Sequence, residues 1–175
     1  MPPYVAGAFH PVAKGFHWVV AALVFFVWPL GFVIDFVKDD VKTSFYLWHE
    51  SFGFLVLWLM LARLCVRFLT ETPAKPPMPV WQAVAAHGTQ WALYLALIVM
   101  PASGFLATNA HGFPLEWFGL VPVWSPIDKS DAWAPVFSAV HYWLSWTILA
   151  LVCLHVLGAL YHRVIRRDDT LHRMI

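Results

Sequence analysis

The chain has 175 residues, of which 61% are hydrophobic, 17% aromatic and 12% charged, with a formal net charge of +1. Globular domains carry about 25% charged residues, so half that share excludes an ordinary soluble domain, a disordered tail, a solenoid and a nucleic-acid binder. A membrane-spanning helix takes about 20 mostly apolar residues. Four spans with modest loops therefore use nearly the whole length and imply a single domain, residues 1–175, with no separate soluble part.

The first apolar run, His17 to Ile34, carries no charge and stops at Asp35. It is long for the apolar part of a signal peptide and no small-residue cleavage site follows, so it reads as a retained helix. A short charged loop at Lys38 to Lys42 leads to the second run, Phe45 to Leu69, which has Glu50, Arg63 and Arg67 towards its ends. A proline-rich linker, Pro73 to Pro79, precedes the third run, Val80 to Ala107. The connection from Thr108 to Trp133 is long and aromatic, and Trp117, Trp124 and Trp133 predict that it lies against the membrane interface. The fourth run, Pro135 to Tyr161, ends at Arg163, Arg166 and Arg167. Pro29 and Pro101 fall inside spans, where neighbouring helices can satisfy the freed carbonyls. Pro135 opens a helix, where its missing N–H costs little. Cys65 and Cys153 lie in apolar runs and read as small buried hydrophobes. The predicted fold is all-α, an integral membrane four-helix bundle.

Four spans put the two ends of the chain and the second connection on one side, together with eight basic residues: Lys14, Arg63, Arg67, Lys75, Arg163, Arg166, Arg167 and Arg173. The other side has Lys38, Lys42 and Lys129. The positive-inside rule then predicts both termini in the cytoplasm. Seven acidic residues, Asp35, Asp39, Asp40, Glu50, Glu116, Asp128 and Asp131, belong to the outer side.

Nine histidines are many for so apolar a chain, and ionisable residues within spans are costly enough to suggest function. His17 opens the first span at its inner end, and His49 lies near the outer end of the second. His141 and His155 share the fourth, near its outer and inner ends. Fourteen residues are close to four helical turns, so these two project from nearly the same face about 21 Å apart. Depth then pairs His17 with His155 and His49 with His141, one pair per leaflet. One turn beyond each stands a small residue, Ala21, Gly53, Ser145 or Ala159, leaving space for a large flat ligand or serving close helix packing.

Two histidines suit haem iron, which takes axial protein ligands, and the lack of a Cys-x-x-Cys-His sequence makes the haem b-type and non-covalent. Zinc or copper calls for a third or fourth ligand close by, and none adjoins either pair. Interhelical hydrogen bonding is the alternative for any one such histidine. Arg63 and Arg67, one turn apart at the inner level, either bind inner-haem propionates or snorkel to lipid headgroups. His87 either hydrogen-bonds a propionate or quinone or simply packs. Glu50, beside His49, either relays protons or orients a ligand, or is simply hydrated near the outer interface. His10, His111, His162 and His172, at the edges, are expected to be solvated.

His17-Trp18, His49-x-x-x-Gly53, Pro101-x-x-Gly104, the His141 and His155 spacing, and the tail Arg-Asp-Asp-Thr-Leu-His-Arg-Met from Arg167 to Met174 together carry a resemblance over essentially the whole chain. The sequence resembles the bacterial di-haem cytochrome b family of the b-561 type, which includes the membrane-bound superoxide oxidase. The resemblance implies a four-helix bundle in the bacterial inner membrane. It implies two b haems ligated by His17, His49, His141 and His155, and electron transfer to or from ubiquinone. For the superoxide oxidase member it implies oxidation of superoxide, or of another periplasmic donor, at the outer face. A surface that collects an anion is positive, and on the acidic outer side only Lys38, Lys42 and Lys129 supply that sign. Two other functions remain open: the cytochrome b electron-transfer subunit of a larger hydrogenase or dehydrogenase, against which the compact length argues, and a cofactor-free transporter or assembly protein.

Overall fold

The computed structural model describes residues 7–74 and 77–175, so Lys75, counted above among the inner basic residues, lies outside the described part. Four helices follow one another: α1 Pro11–Val33, extended by a single 3-10 turn at Ile34–Phe36, α2 Asp39–Leu69, α3 Val80–Ala110 and α4 Ala134–Tyr161, which ends in a π-helical turn at His162–Arg166. All four are long and apolar enough to cross a membrane. Each is longer than the apolar run that announced it, because helical hydrogen bonding continues into the interface after apolar composition stops. In α1 the helix begins at Pro11, and the His10 ring accepts a bond from the Val12 N–H at 3.3 Å. Asp39 and Asp40 in the first turn of α2 and Arg67 in its last complement the helix dipole. Thr108 to Ala110, expected in the loop, complete α3 instead.

The helices pack in sequence, α1 on α2, α2 on α3 and α3 on α4. Between α4 and α1 large side chains bridge the gap: the Trp28 indole N–H donates to the Ser145 carbonyl at 3.0 Å, and the Trp28 and Phe32 rings meet Trp146 edge-on. At mid-height Val20, Val56, Met60, Ala96, Leu97 and Ile148 form one apolar layer with members from all four helices. Only 6% of the most apolar stretch of α4 is buried inside the protein. So large an exposed apolar surface requires lipid as its solvent. Cys65 and Cys153 belong to that outward surface rather than to the core, contrary to the sequence expectation; apolar context in a span does not distinguish a lipid-facing position from a buried one.

At one end, the hairpin end, the long connection forms two short strands, β1 Glu116–Trp117 and β2 Val121–Pro122, paired antiparallel. Phe118 and Gly119 at its tip have φ of 53° and 67°. Trp124 and Trp133 are exposed, as an interfacial position requires. Trp117 is not: its indole N–H donates to the Ser51 carbonyl at 3.1 Å, while the fully buried Ser51 hydroxyl accepts from the Phe118 N–H at 2.8 Å. The hairpin is thus docked on α2 two residues from His49. Ser51→Ala orphans the Phe118 N–H, an expected loss of about 1–3 kcal/mol, readable as earlier thermal unfolding and faster amide exchange in the hairpin.

At the opposite end, the tail end, Arg167 adopts a left-handed φ of 54° and turns the chain back beneath the bundle. The Trp18 indole donates to the Met174 carbonyl at 2.8 Å, the Phe9 N–H to the Arg173 carbonyl at 3.1 Å, and the Arg173 guanidinium to Ala74. His162, expected to be solvated, is 8% exposed and lies 2.6 Å from the Asp168 carboxylate. The returning tail is what covers it, a contact that span-edge position alone does not reveal.

Candidate functional site

Seven-residue steps place His141, Ile148 and His155 on one stripe of α4, about 10.5 Å apart along its axis. Ile148, 1% exposed, belongs to the mid-height layer, so an apolar floor separates the two histidines. Across from His141 stands His49 of α2, with ring centroids 5.9 Å apart and planes at 84°. Across from His155 stands His17 of α1, at 6.1 Å and 62°. These are the pairings that depth predicts.

The hairpin-end rings are held in a specific way. His49 Nδ1 lies 3.1 Å from the Val27 carbonyl and His141 Nδ1 lies 2.9 Å from the Met100 carbonyl. Four residues beyond each acceptor is a glycine, Gly31 in α1 and Gly104 in α3. A Cβ at Gly31 would sit 2.5 Å from His49 Cε1, and one at Gly104 2.8 Å from His141 Cε1. Each ring therefore lies in a notch that only glycine leaves open. With the carbonyl as acceptor, Nδ1 carries the proton and donates, which leaves the Nε2 lone pair for a metal. A Cβ at Gly53, one turn beyond His49, would meet nothing within 4 Å.

The tail-end pair is held differently. Arg63 Nη2 donates to His17 Nδ1 at 3.0 Å, and its guanidinium carbon lies 5.0 Å from the Tyr94 ring centroid. Of the three further candidates, the structure brings Arg63 to the pair and leaves the others elsewhere. Arg67 donates to Thr72 just beyond the end of α2, and His87 is exposed and meets the Trp91 ring edge-to-face. Glu50, half-buried, accepts from the Thr108 hydroxyl at 3.1 Å. Lys42 pairs with Asp39 at 3.8 Å, and the stem of Lys129 covers Gly112.

Among the described residues no three His, Cys, Asp or Glu side chains converge as a metal cluster. Sites of two imidazoles suit a metal that brings its remaining ligands with it. A metal held between two imidazoles by bonds of about 2 Å would need ring centroids about 6 Å apart, and both pairs have that spacing. Sequence reasoning missed the glycine notches and the carbonyl acceptors. A signal was present: glycine within a helix costs about 1 kcal/mol relative to alanine, so Gly31 and Gly104 in otherwise strong helices ask for a packing reason.

Residues 8–175 match the family described as prokaryotic cytochrome b561. The chain belongs to that family. Among its relatives are Cytochrome b561 homolog 2 of Escherichia coli, 31% identical with 94% of this chain and 89% of that one covered, and Probable superoxide oxidase CybB of Yersinia pestis, 30% identical with 92% of each covered. Cytochrome b562 of Cereibacter sphaeroides is 31% identical over 91% of this chain and 89% of its own. This prokaryotic cytochrome b561 is accordingly a membrane electron-transfer haem protein, multi-pass in the bacterial inner membrane.

Proposed function

We propose that this cytochrome b561 carries two b haems, one between His49 and His141 and one between His17 and His155, and moves single electrons between a donor at the hairpin end and ubiquinone. The two facing histidine pairs at two depths carry this reading. The family assignment and the two-ligand character of each site support it. The tail end is cytoplasmic, supported by Lys14, Arg63, Arg67, Arg163, Arg166, Arg167 and Arg173 on that side. Superoxide is the donor, a reading supported by the relative named probable superoxide oxidase. Two superoxide anions, each losing one electron, leave as two molecules of oxygen, and the two electrons with two protons convert ubiquinone to ubiquinol.

Bound haem supplies the reversible one-electron chemistry of its iron. The chain's own residues do the positioning. The Val27 and Met100 carbonyls fix the tautomer and plane of His49 and His141, and Gly31 and Gly104 allow those rings to lie against their helices. The mid-height layer around Met60 and Ile148 excludes water between the sites. Arg63, beside His17, would bind a propionate of a haem held there.

The test is a dithionite-reduced minus oxidised spectrum of the purified chain in mild detergent, with haem quantified per chain as the pyridine haemochromogen. About two b haems per chain are expected, and about one in His49→Ala or His141→Ala. No haem in folded protein supplied with haem during expression overturns the reading. Two haems without superoxide-driven quinone reduction would keep the carrier and transfer the donor's role to a protein partner.

A further inference from the structure

His17 of the tail-end pair sits in electronic surroundings opposite to those of the hairpin-end pair. At the hairpin end both rings donate Nδ1–H to main-chain carbonyls, Val27 at 3.1 Å and Met100 at 2.9 Å. A ring whose second nitrogen donates to a carbonyl is a more basic ligand and pushes electron density towards its metal. At the tail end the corresponding neighbour of His17 is a cation, the Arg63 guanidinium at 3.0 Å, half-buried and seated over the Tyr94 ring. The wider field has the same sense. Asp35, Asp39, Asp40, Glu50, Glu116, Asp128 and Asp131 belong to the hairpin end, whereas the tail end gathers the arginines.

Electron-rich ligands and negative charge favour the oxidised form of a metal centre, and a nearby cation favours the reduced form. We infer that the centre between His17 and His155 has the higher reduction potential, that the centre between His49 and His141 has the lower, and that Arg63 sets the difference. Electrons entering at the hairpin end then run downhill to the tail end. Haems held by the two pairs would supply one-electron exchange in that direction, with no bond made or broken. The inference rests on the di-haem reading above.

Arg63 acts as a positioning residue of charge. A ring nitrogen that accepts from a guanidinium has no proton of its own, so metal ligation through His17 Nε2 requires Nδ1 to be protonated and Arg63 to turn off the ring. The Tyr94 ring, 5.0 Å from its guanidinium carbon, offers a cation–π seat that would hold the charge beside the pair.

The experiment is a potentiometric titration of the purified holoprotein followed by optical and EPR spectra, with His141→Ala and His155→Ala assigning the two components. The component lost in His141→Ala is expected to titrate at the lower potential. Arg63→Gln should lower the other component by at least tenfold in its reduction equilibrium, about 59 mV for one electron, and leave the first in place. Arg63→Lys should restore most of that shift. A reversed order of potentials overturns the inference, as does an Arg63→Gln effect that is equal on both components or absent. Should Arg63→Gln lose its tail-end haem, the order in the unsubstituted protein and the position of Arg63→Lys still decide. Fewer than two haems in the unsubstituted protein would instead sink the functional reading, so the two failures are distinguishable.

Discussion

On the proposed two-haem reading, valine at Gly104 or at Gly31 should empty the hairpin-end histidine pair and leave the tail-end pair loaded, so that haem per chain falls from about two to about one. The notch at each glycine is a contact between a helix backbone and a histidine ring on another helix. A Cβ there forces the ring to shift, at 2.8 Å from His141 Cε1 and 2.5 Å from His49 Cε1. Overpacking a filled site costs about 1–3 kcal/mol. Moving the ring aside also gives up its bond to Met100 or Val27, worth about 0.5–1.5 kcal/mol. Since 1.4 kcal/mol is about tenfold in an equilibrium constant, occupancy of that site should fall at least tenfold at limiting haem. Gly88→Ala is the control, because a Cβ there meets nothing within 4 Å and the residue is exposed on α3. It should leave both haems in place and raise stability by about 0.4–1 kcal/mol. Two haems with unchanged spectra in Gly104→Val would show that the notch does not position the ring.

Asp168→Asn should weaken the tail and, through it, the tail-end site. Asp168 Oδ2 lies 2.6 Å from the buried His162 ring and 3.4 Å from Arg166 Nε, while Oδ1 accepts from the Thr170 N–H at 3.0 Å. Burial pushes this carboxyl up, but bonds from Thr170 and His162 outweigh it and hold the group well below the usual carboxylate range. A depressed native value means that the carboxylate stabilises the fold fully above its unfolded value near pH 4 and loses that contribution as the pH falls from there towards the native value. The substitution should therefore cost about 1–3 kcal/mol at pH 7, and the gap in Tm between the two proteins should close at pH values below about 4. Because the tail holds Trp18, the neighbour of His17, through the Met174 carbonyl, the haem proposed for the tail-end pair should loosen first. Thermal melts followed by haem absorbance across pH check this. Equal Tm at neutral pH, or a gap that ignores pH, would reduce the His162–Asp168 contact to an unimportant surface pair.

Much of the architecture was legible without coordinates. The number of spans follows from four uncharged or weakly charged runs, because the cost of a charge in hydrocarbon is a property of each residue. That His141 and His155 share a face follows from the helical period alone. That each meets one partner, His49 or His17, follows from depth, since antiparallel helices in a bilayer leave little freedom along its normal. Lengths were less accessible. The first helix begins at Pro11, not His17, because the interface tolerates polar residues in a helix that the hydrocarbon does not.

What the chain determined by itself, then, is the topology, the height of each histidine and the composition of the lipid-facing surface, all of which depend on local sequence and a one-dimensional period. The tertiary structure alone decided the rest. It set the backbones of α1 and α3 against the His49 and His141 rings, joined residues 22 and 41 positions apart through Val27 and Met100, and laid Arg63 on His17. It also folded the hairpin onto Ser51 and the tail onto His162. These contacts depend on how far apart helices sit and how they rotate against one another. Hydropathy fixes neither quantity, because lipid solvates any apolar face equally well, so the choice falls to close packing at glycine and to the few polar groups that must find partners away from water.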